Sequence, residues 1–519
     1  MTDPSVLILL AVALAVLAGV TVSRFSPIPA PVLYTLAGLA VSYAPGMSNL
    51  RLPPHVVFFV FLPPLLYHAA FFTAPRETRA QAVPIATLAI GLVVATMFVV
   101  GALAASAIGA LGWGSALVLG AVLGPTDPVA ATAVIRRVGA PERLQAVLEG
   151  EGLVNDGVGL VAFSIALTGA LRGHFSIQDA LVRFVLVAGG GVAIGLLLGV
   201  VLERIRRRVH DAEIEIFLSL LTPYVAYIPA ERAHVSGVLA TVSCGVFLGW
   251  HSGGIFRPAV RLQSTAFWNV LDFLLSSILF VLLGMQFPSV VGALGNYAPL
   301  SLLWYALVTF GAVAAVRVIW MFSVPYAVAR LPGGHGWQEV TPWRERVVLG
   351  WSGMRGAVSL AAALSITGAL THRELILFLT FTTILGGFVV QAIPLQYLLR
   401  RLGLAVDEGL SRAEAEARLK LSQAALERLD ELAGEDWVTE DMVGTLRSLY
   451  QQRVGRFERR LDEDDGDDGD SGDYRRLQYE LILAQRDALD TVANESGIPT
   501  GVERRIEHEL DLEEARLPR

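Results

Sequence analysis

Lysine is all but missing from this chain: Lys420 is the only one in 519 residues, and no glycine-rich approach precedes it. A Walker-type phosphate loop needs its lysine, so such a nucleotide site is excluded. Any transport the chain carries out must then run on ion gradients or on another subunit. Cysteine occurs once, as Cys244 inside an apolar block, which excludes an intrachain disulfide and reads as a small core residue. Charge is scarce too, with 17% of residues charged against 54% hydrophobic and a mean hydropathy of +0.56. A soluble protein rarely tolerates that imbalance, because its surface needs polar cover. The net charge of −7 is concentrated towards the C-terminus and implies no nucleic-acid partner. Nothing in the sequence calls for a cofactor.

What is present is apolar and unevenly placed. From Ser5 to about Leu399 the chain is a string of hydrophobic blocks, and from Arg400 to Arg519 it is charged and mostly polar. This predicts an all-α polytopic membrane domain over residues 1–400 and a helical cytosolic tail over 401–519. A membrane span needs about 20 predominantly apolar residues. Thirteen such blocks begin near Ser5, Pro27, His55, Gln81, Gly112, Gln145, Ala180, Ala212, Ala233, Ala266, Pro299, Arg346 and Leu375. The first has neither a basic leading region nor a clear cleavage site, and reads as a retained helix. Arg24, Arg76/Arg79, Arg136/Arg137/Arg143, Arg204 to Arg208, Arg257/Arg261, Arg330/Arg344 and Arg400/Arg401 fall in alternate loops. The other loops hold little beyond Arg51, Arg172, Arg232 and Arg373. By the positive-inside rule the N-terminus lies outside and the tail inside.

Against that background two acids stand out. Asp156, in Glu151-Gly-Leu-Val-Asn155-Asp156-Gly157, and Asp127, in Gly124-Pro125-Thr126-Asp127-Pro128, both interrupt apolar stretches. An acid near a bilayer centre costs roughly 2.5–3.5 kcal/mol on insertion scales and is rarely there without a task. Withdrawal from water favours the protonated form, so such a carboxylate can hold a proton at neutral pH and release it when a cation arrives. The i, i+4 spacing puts Glu151 and Asn155 on one helix face, with Asp156 about 100° round. Glu149, seven residues before Asp156, lies roughly on the latter's face, nearer the cytosolic end.

Two blocks carry interruptions. Gly124, Pro125 and Pro128 should break the fifth, because proline removes a donor and clashes with the preceding turn. Gly350-Trp-Ser-Gly353-Met-Arg355-Gly356 sets three glycines around a buried arginine in the twelfth. Paired interruptions in two halves are the mark of inverted-repeat transporters, whose site lies where the broken helices meet. Asp127 either balances the charge of a helix end or touches the ion directly. Thr126 offers a hydroxyl and a carbonyl, hard ligands suited to a small monovalent cation. Arg355 stays charged and needs an acid partner. Glu151 is the first candidate, with Arg317 in the eleventh block competing for it. In the tail, helices are expected over Ser411–Ala433, Thr439–Leu461 and Tyr474–Glu495, with an acidic loop at 462–470 that lacks the ligand spacing of a calcium site.

Five motifs then occur in the order seen in sodium/proton exchangers: Phe61-Leu-Pro63-Pro64-Leu-Leu, Thr126-Asp127-Pro128, Glu151-x-x-x-Asn155-Asp156-Gly157, Phe280-Val-Leu-Leu-Gly284 and Trp351-Ser-Gly-Met-Arg355-Gly356. Over essentially the whole membrane domain the chain resembles the bacterial NhaP-like branch of the monovalent cation:proton antiporter family. The resemblance implies thirteen helices with broken helices five and twelve crossing, a homodimer in the plasma membrane, and Asp156 carrying both ion and proton. It implies Thr126 near the ion and a pair of Glu151 with Arg317 or Arg355. The Asn155-Asp156 pair, in place of two aspartates, resembles the electroneutral branch. Gly152 stands where many relatives have an ion-binding serine, leaving that ligand position to water, and Ser276 stands near where relatives often carry asparagine. Both bear on the choice between sodium and potassium, and potassium/proton exchange is the alternative within this fold.

Other classes fit less well. An intramembrane aspartyl protease needs Gly-x-Gly-Asp, whereas Asp156 follows Leu153-Val154-Asn155. A channel or a tail-linked sensor would not couple proton flux to cation flux. His68, His234 and His372 read as loop or packing residues.

Overall fold

The computed structural model describes residues 4–405, apart from 27, 45–52, 74, 174–175, 210, 253–257, 296 and 330–340, then 412–462 apart from 436–437. Beyond that it describes 477–486, 488–489, 506, 510 and 513–514. The chain falls into two compact units, Met1–Asp407 and Glu408–Arg519.

Among the described residues of the first unit the regular secondary structure is all helical. Its main elements are α1 (Pro4–Phe25), α2 (Ala30–Ser42), α3 (Pro54–Phe71), α4 (Ala82–Ala107), α5 (Trp113–Val122), α6 (Val129–Val138), α7 (Glu142–Arg172), α8 (Ile177–Arg206) and α9 (Ala212–Arg232). They continue as α10 (Gly237–His251), α11 (Pro258–Met285), α12 (Pro299–Ala329), α13 (Trp343–Trp351), α14 (Ala357–Leu364) and α15 (Arg373–Arg401). Among the described residues seven helices are long and apolar enough to cross a membrane, and four shorter apolar ones accompany them. Helix limits follow local chemistry. Asp211 and Ser236 cap α9 and α10 with their side chains, and Gly139 and Gly173, both at positive φ, end α6 and α7. The ninth block starts a few residues later than its hydropathy suggests, because His234 takes a left-handed turn (φ 58°) before the Ser236 cap. In α3 the paired prolines Pro63 and Pro64 withhold backbone donors, and the turn before them, Val57–Phe61, opens to π-helix. Helices approach closely where glycines face each other: a Cβ on Gly38 would strike the Val281 backbone, and one on Gly284 the Thr35 backbone, so α2 and α11 pack main chain to main chain.

Two helical runs stop short. Between α5 and α6 residues Leu123–Pro128 are not helical, and between α13 and α14 residues Ser352–Gly356 are not. The two segments touch: the Asp127 amide donates to the Met354 carbonyl at 2.8 Å.

In the second unit, α16 (Arg412–Leu432) and α17 (Glu440–Asp462) pack together, joined by an Arg447–Asp430 ion pair. Residues 463–470 of the expected acidic loop lie outside the described residues, and the expected third tail helix is described as helix only over 477–486 and 488–489.

Candidate functional site

The two interruptions leave backbone groups without helical partners, and side chains from both segments answer them. Arg355 Nε donates to the Leu123 carbonyl at 2.9 Å, and its guanidinium also bonds the Gly353 carbonyl. The carboxylate of Asp127 accepts from the Val129 amide at 2.9 Å, at the start of α6, where a negative group suits the helix end. Its other oxygen lies against Gly356, so close that no side chain would fit at that position.

Glu151 and Asn155 converge on Thr126. The Thr126 hydroxyl donates to Glu151 Oε1 at 2.7 Å, and Asn155 Nδ2 donates to that hydroxyl at 2.7 Å and to the Thr126 carbonyl at 3.1 Å. Glu151 is also gripped by Arg317, with Nη1 on Oε1 at 2.5 Å and Nη2 on Oε2 at 2.8 Å, both side chains being essentially unexposed. The expected Glu151–Arg355 pair is therefore corrected: Arg317 is the partner. Arg355 lies in the non-helical segment between α13 and α14, and its guanidinium bonds the Leu123 and Gly353 carbonyls there. Asn155, expected at the ion, is fully buried and does not line the cavity described next. Its amide secures Thr126 from behind.

Asp156 faces the other way. It is half-buried, makes no hydrogen bond among the described residues, and lines a cavity of about 390 Å³ together with Thr126, Asp127 and Gly152. Asp127 is its charged neighbour. The cavity reaches Glu149 and Arg136, an ion pair at 2.6 Å whose arginine is largely exposed. Gly152 has a local reason to lack a side chain: a Cβ there would sit 2.7 Å from the ring of Pro128.

The opposite wall holds a residue the sequence reading misses. Asp272 on α11 lines the same cavity and pairs with His68 of α3, Nδ1 to Oδ1 at 3.2 Å. His68 also stacks on Trp268, so it belongs to the cavity wall and not to a loop. The signal was available, since Asp272 is a lone acid in an apolar run, as Asp156 is. His372, by contrast, bonds the Tyr297 hydroxyl at 2.9 Å, and His234 forms the turn before α10.

These features sit in a chain whose residues 10–401 match the transmembrane sodium/hydrogen exchanger family. An uncharacterised Na(+)/H(+) exchanger of Mycobacterium tuberculosis is 33% identical over 98% of this chain and 96% of its own length. A sodium, potassium, lithium and rubidium/H(+) antiporter of Bacillus pumilus is 33% identical over 80% of this chain and 64% of that protein. Among solved structures, the sodium proton antiporter MjNhaP1 of Methanocaldococcus jannaschii superposes with a TM-score of 0.59 at 21% identity, over 77% of this chain and 99% of that one, a likeness of fold. Fold, motif order and relatives agree, and the chain belongs to the sodium/hydrogen exchanger family of integral membrane secondary transporters.

Proposed function

We propose that this protein exchanges sodium or lithium for protons, one for one, through the carboxylate of Asp156. The observation that carries this reading is Asp156 itself: an acid without a hydrogen-bond partner among the described residues, half-buried in a cavity wall beside the two interrupted helices. Thr126 and Asp127 border the ion, while Asn155, Glu151 and Arg317 hold Thr126 in place. Potassium/proton exchange is the second reading, supported by the printed substrate range of the Bacillus pumilus relative. The reading carries with it thirteen spans in two inverted repeats, crossed broken helices five and twelve, and a homodimer in the plasma membrane lipid. The N-terminus is outside, the antiporter domain takes residues 1–400 and the tail 401–519 is cytosolic. In this reading the end of the cavity that carries Arg136 is the cytosolic one.

The experiment is proton efflux from proteoliposomes challenged in turn with sodium, lithium and potassium. Sodium or lithium is expected to drive efflux, and efflux with potassium alone would replace the first reading by the second. Imposing potassium–valinomycin potentials of both signs tests the stoichiometry. A site that is neutral with either sodium or a proton moves no net charge, so rates should not follow the potential, which acts with about 2.3 kcal/mol per charge per 100 mV. Rates that shift with its sign would exclude one-for-one exchange and make Asp127 a second carrier.

Proton and cation compete for one carboxylate in this reading. As pH falls the proton occupies Asp156 and excludes the cation, so the KM for sodium should rise steadily, and exchange should also fall at high pH for want of protons. A KM that stays flat through the acidic limb would point to a separate regulatory site.

A further inference from the structure

Two hydroxyls of the cavity wall, Ser276 and Ser359, make no hydrogen bond among the described residues; Ser276 is half-buried on α11 and Ser359 is the buried one. Ser359, on the first turn of α14, lines the same cavity as Asp156, Asp127 and Thr126, although the residue is only 2% exposed. It makes no hydrogen bond among the described residues.

Elsewhere in this domain helical hydroxyls turn back onto the preceding turn: Thr35 onto the Pro31 carbonyl, Thr380 onto Ile376, Thr383 onto Leu379. Ser359 makes no such bond: the chain four residues earlier belongs to the non-helical segment Ser352–Gly356, and the Gly356 carbonyl three residues earlier accepts from the Leu360 amide. The i−4 carbonyl that a helical hydroxyl would use is thus not offered by a helix. Gly356, which abuts the Asp127 carboxylate, precedes α14 and lines the same cavity as Ser359, and α14 packs on α7, which carries Asp156.

We propose that Ser359 supplies a side-chain oxygen to the transported monovalent cation and that it thereby helps set which cation is accepted. This rests on Asp156 being the exchanging carboxylate. A small hard cation is held by several oxygens, and selectivity follows their number and field strength. A hydroxyl without a fixed partner can turn its lone pairs to a cation when one is bound.

Proteoliposome exchange by Ser359→Ala and Ser359→Thr, measured with sodium, lithium and potassium, tests this. Loss of one neutral oxygen contact should raise the KM for sodium and lithium about three- to tenfold. The kcat should stay near the parent value and the preference should shift towards potassium. Sodium or lithium should raise the melting temperature of the parent protein and do so less in Ser359→Ala, whose melting temperature without the cation is unchanged. Ser359→Thr keeps the oxygen and should restore both KM and the thermal shift. Parent-like KM values and ion preference in Ser359→Ala would overturn the assignment while leaving the exchange reading intact, and so would a fall in kcat alone. A parent protein that exchanges none of the three cations would overturn both.

Discussion

Asp156→Asn is expected to reduce cation-driven proton efflux to no more than a few per cent of the parent protein while the chain stays folded. The substitution keeps size and shape but removes the titrating oxygen and its charge. Asp156 makes no hydrogen bond among the described residues, so the change breaks no contact that holds the fold. A folded variant retaining substantial exchange would end the assignment, whereas a variant that melts early would show that the acid has a structural role. Asp127→Asn should impair exchange less cleanly. Its carboxylate already bonds the Val129 amide and lies against Gly356, so part of any loss would come from the packing of the two interruptions. The thermal stabilities of the two variants separate these effects: Asp156→Asn should match the parent, and Asp127→Asn should not.

How far this arrangement could be read beforehand depended on how local its causes are. The helix interruptions were legible because proline and glycine act on their own turn. Pro125 and Pro128 stand in the segment that leaves the helix, and Gly356 lies where the Asp127 carboxylate leaves no room. The shared face of Glu151 and Asn155 follows from helical spacing, and both side chains meet Thr126. Spacing could not choose between two buried arginines for Glu151. Arg355 lies in a non-helical stretch whose side-chain directions have no period, and the winner depends on which carbonyls the interruptions expose. Asp272 was within reach, since the cost of an acid in an apolar run applies to it as it does to Asp156. Ser359 carries no such mark. A serine in an apolar helix is ordinary, and only its place in the cavity wall without a hydrogen bond among the described residues sets it apart. Charge in lipid therefore announces itself in the sequence, while neutral ligands become visible only with the backbone.

Arg317→Gln and Glu151→Gln are expected to be strongly destabilising. Arg317 holds Glu151 through two hydrogen bonds, at 2.5 and 2.8 Å, and also donates to the Leu349 carbonyl at 2.8 Å, with both side chains shut off from solvent. Taking away either partner leaves the other charge buried and uncompensated, which costs about 3–5 kcal/mol. The damage would spread to the candidate site, because Glu151 also accepts from the Thr126 hydroxyl. Glu149→Gln is the control. That acid pairs with a largely exposed arginine at the cavity mouth, where the gain from pairing is about 0–1 kcal/mol. Melting temperatures in detergent should therefore fall well below the parent for Glu151→Gln and Arg317→Gln, and hardly move for Glu149→Gln. The double variant Glu151→Gln/Arg317→Gln should melt above at least one of its parents, since neither charge is then stranded. Arg355→Gln should cost less than Arg317→Gln, as it loses bonds to the Leu123 and Gly353 carbonyls but strands no carboxylate. If Arg355→Gln proved the more damaging of the two, or if Glu151→Gln melted with Glu149→Gln, Arg317 would not be the partner that holds this acid.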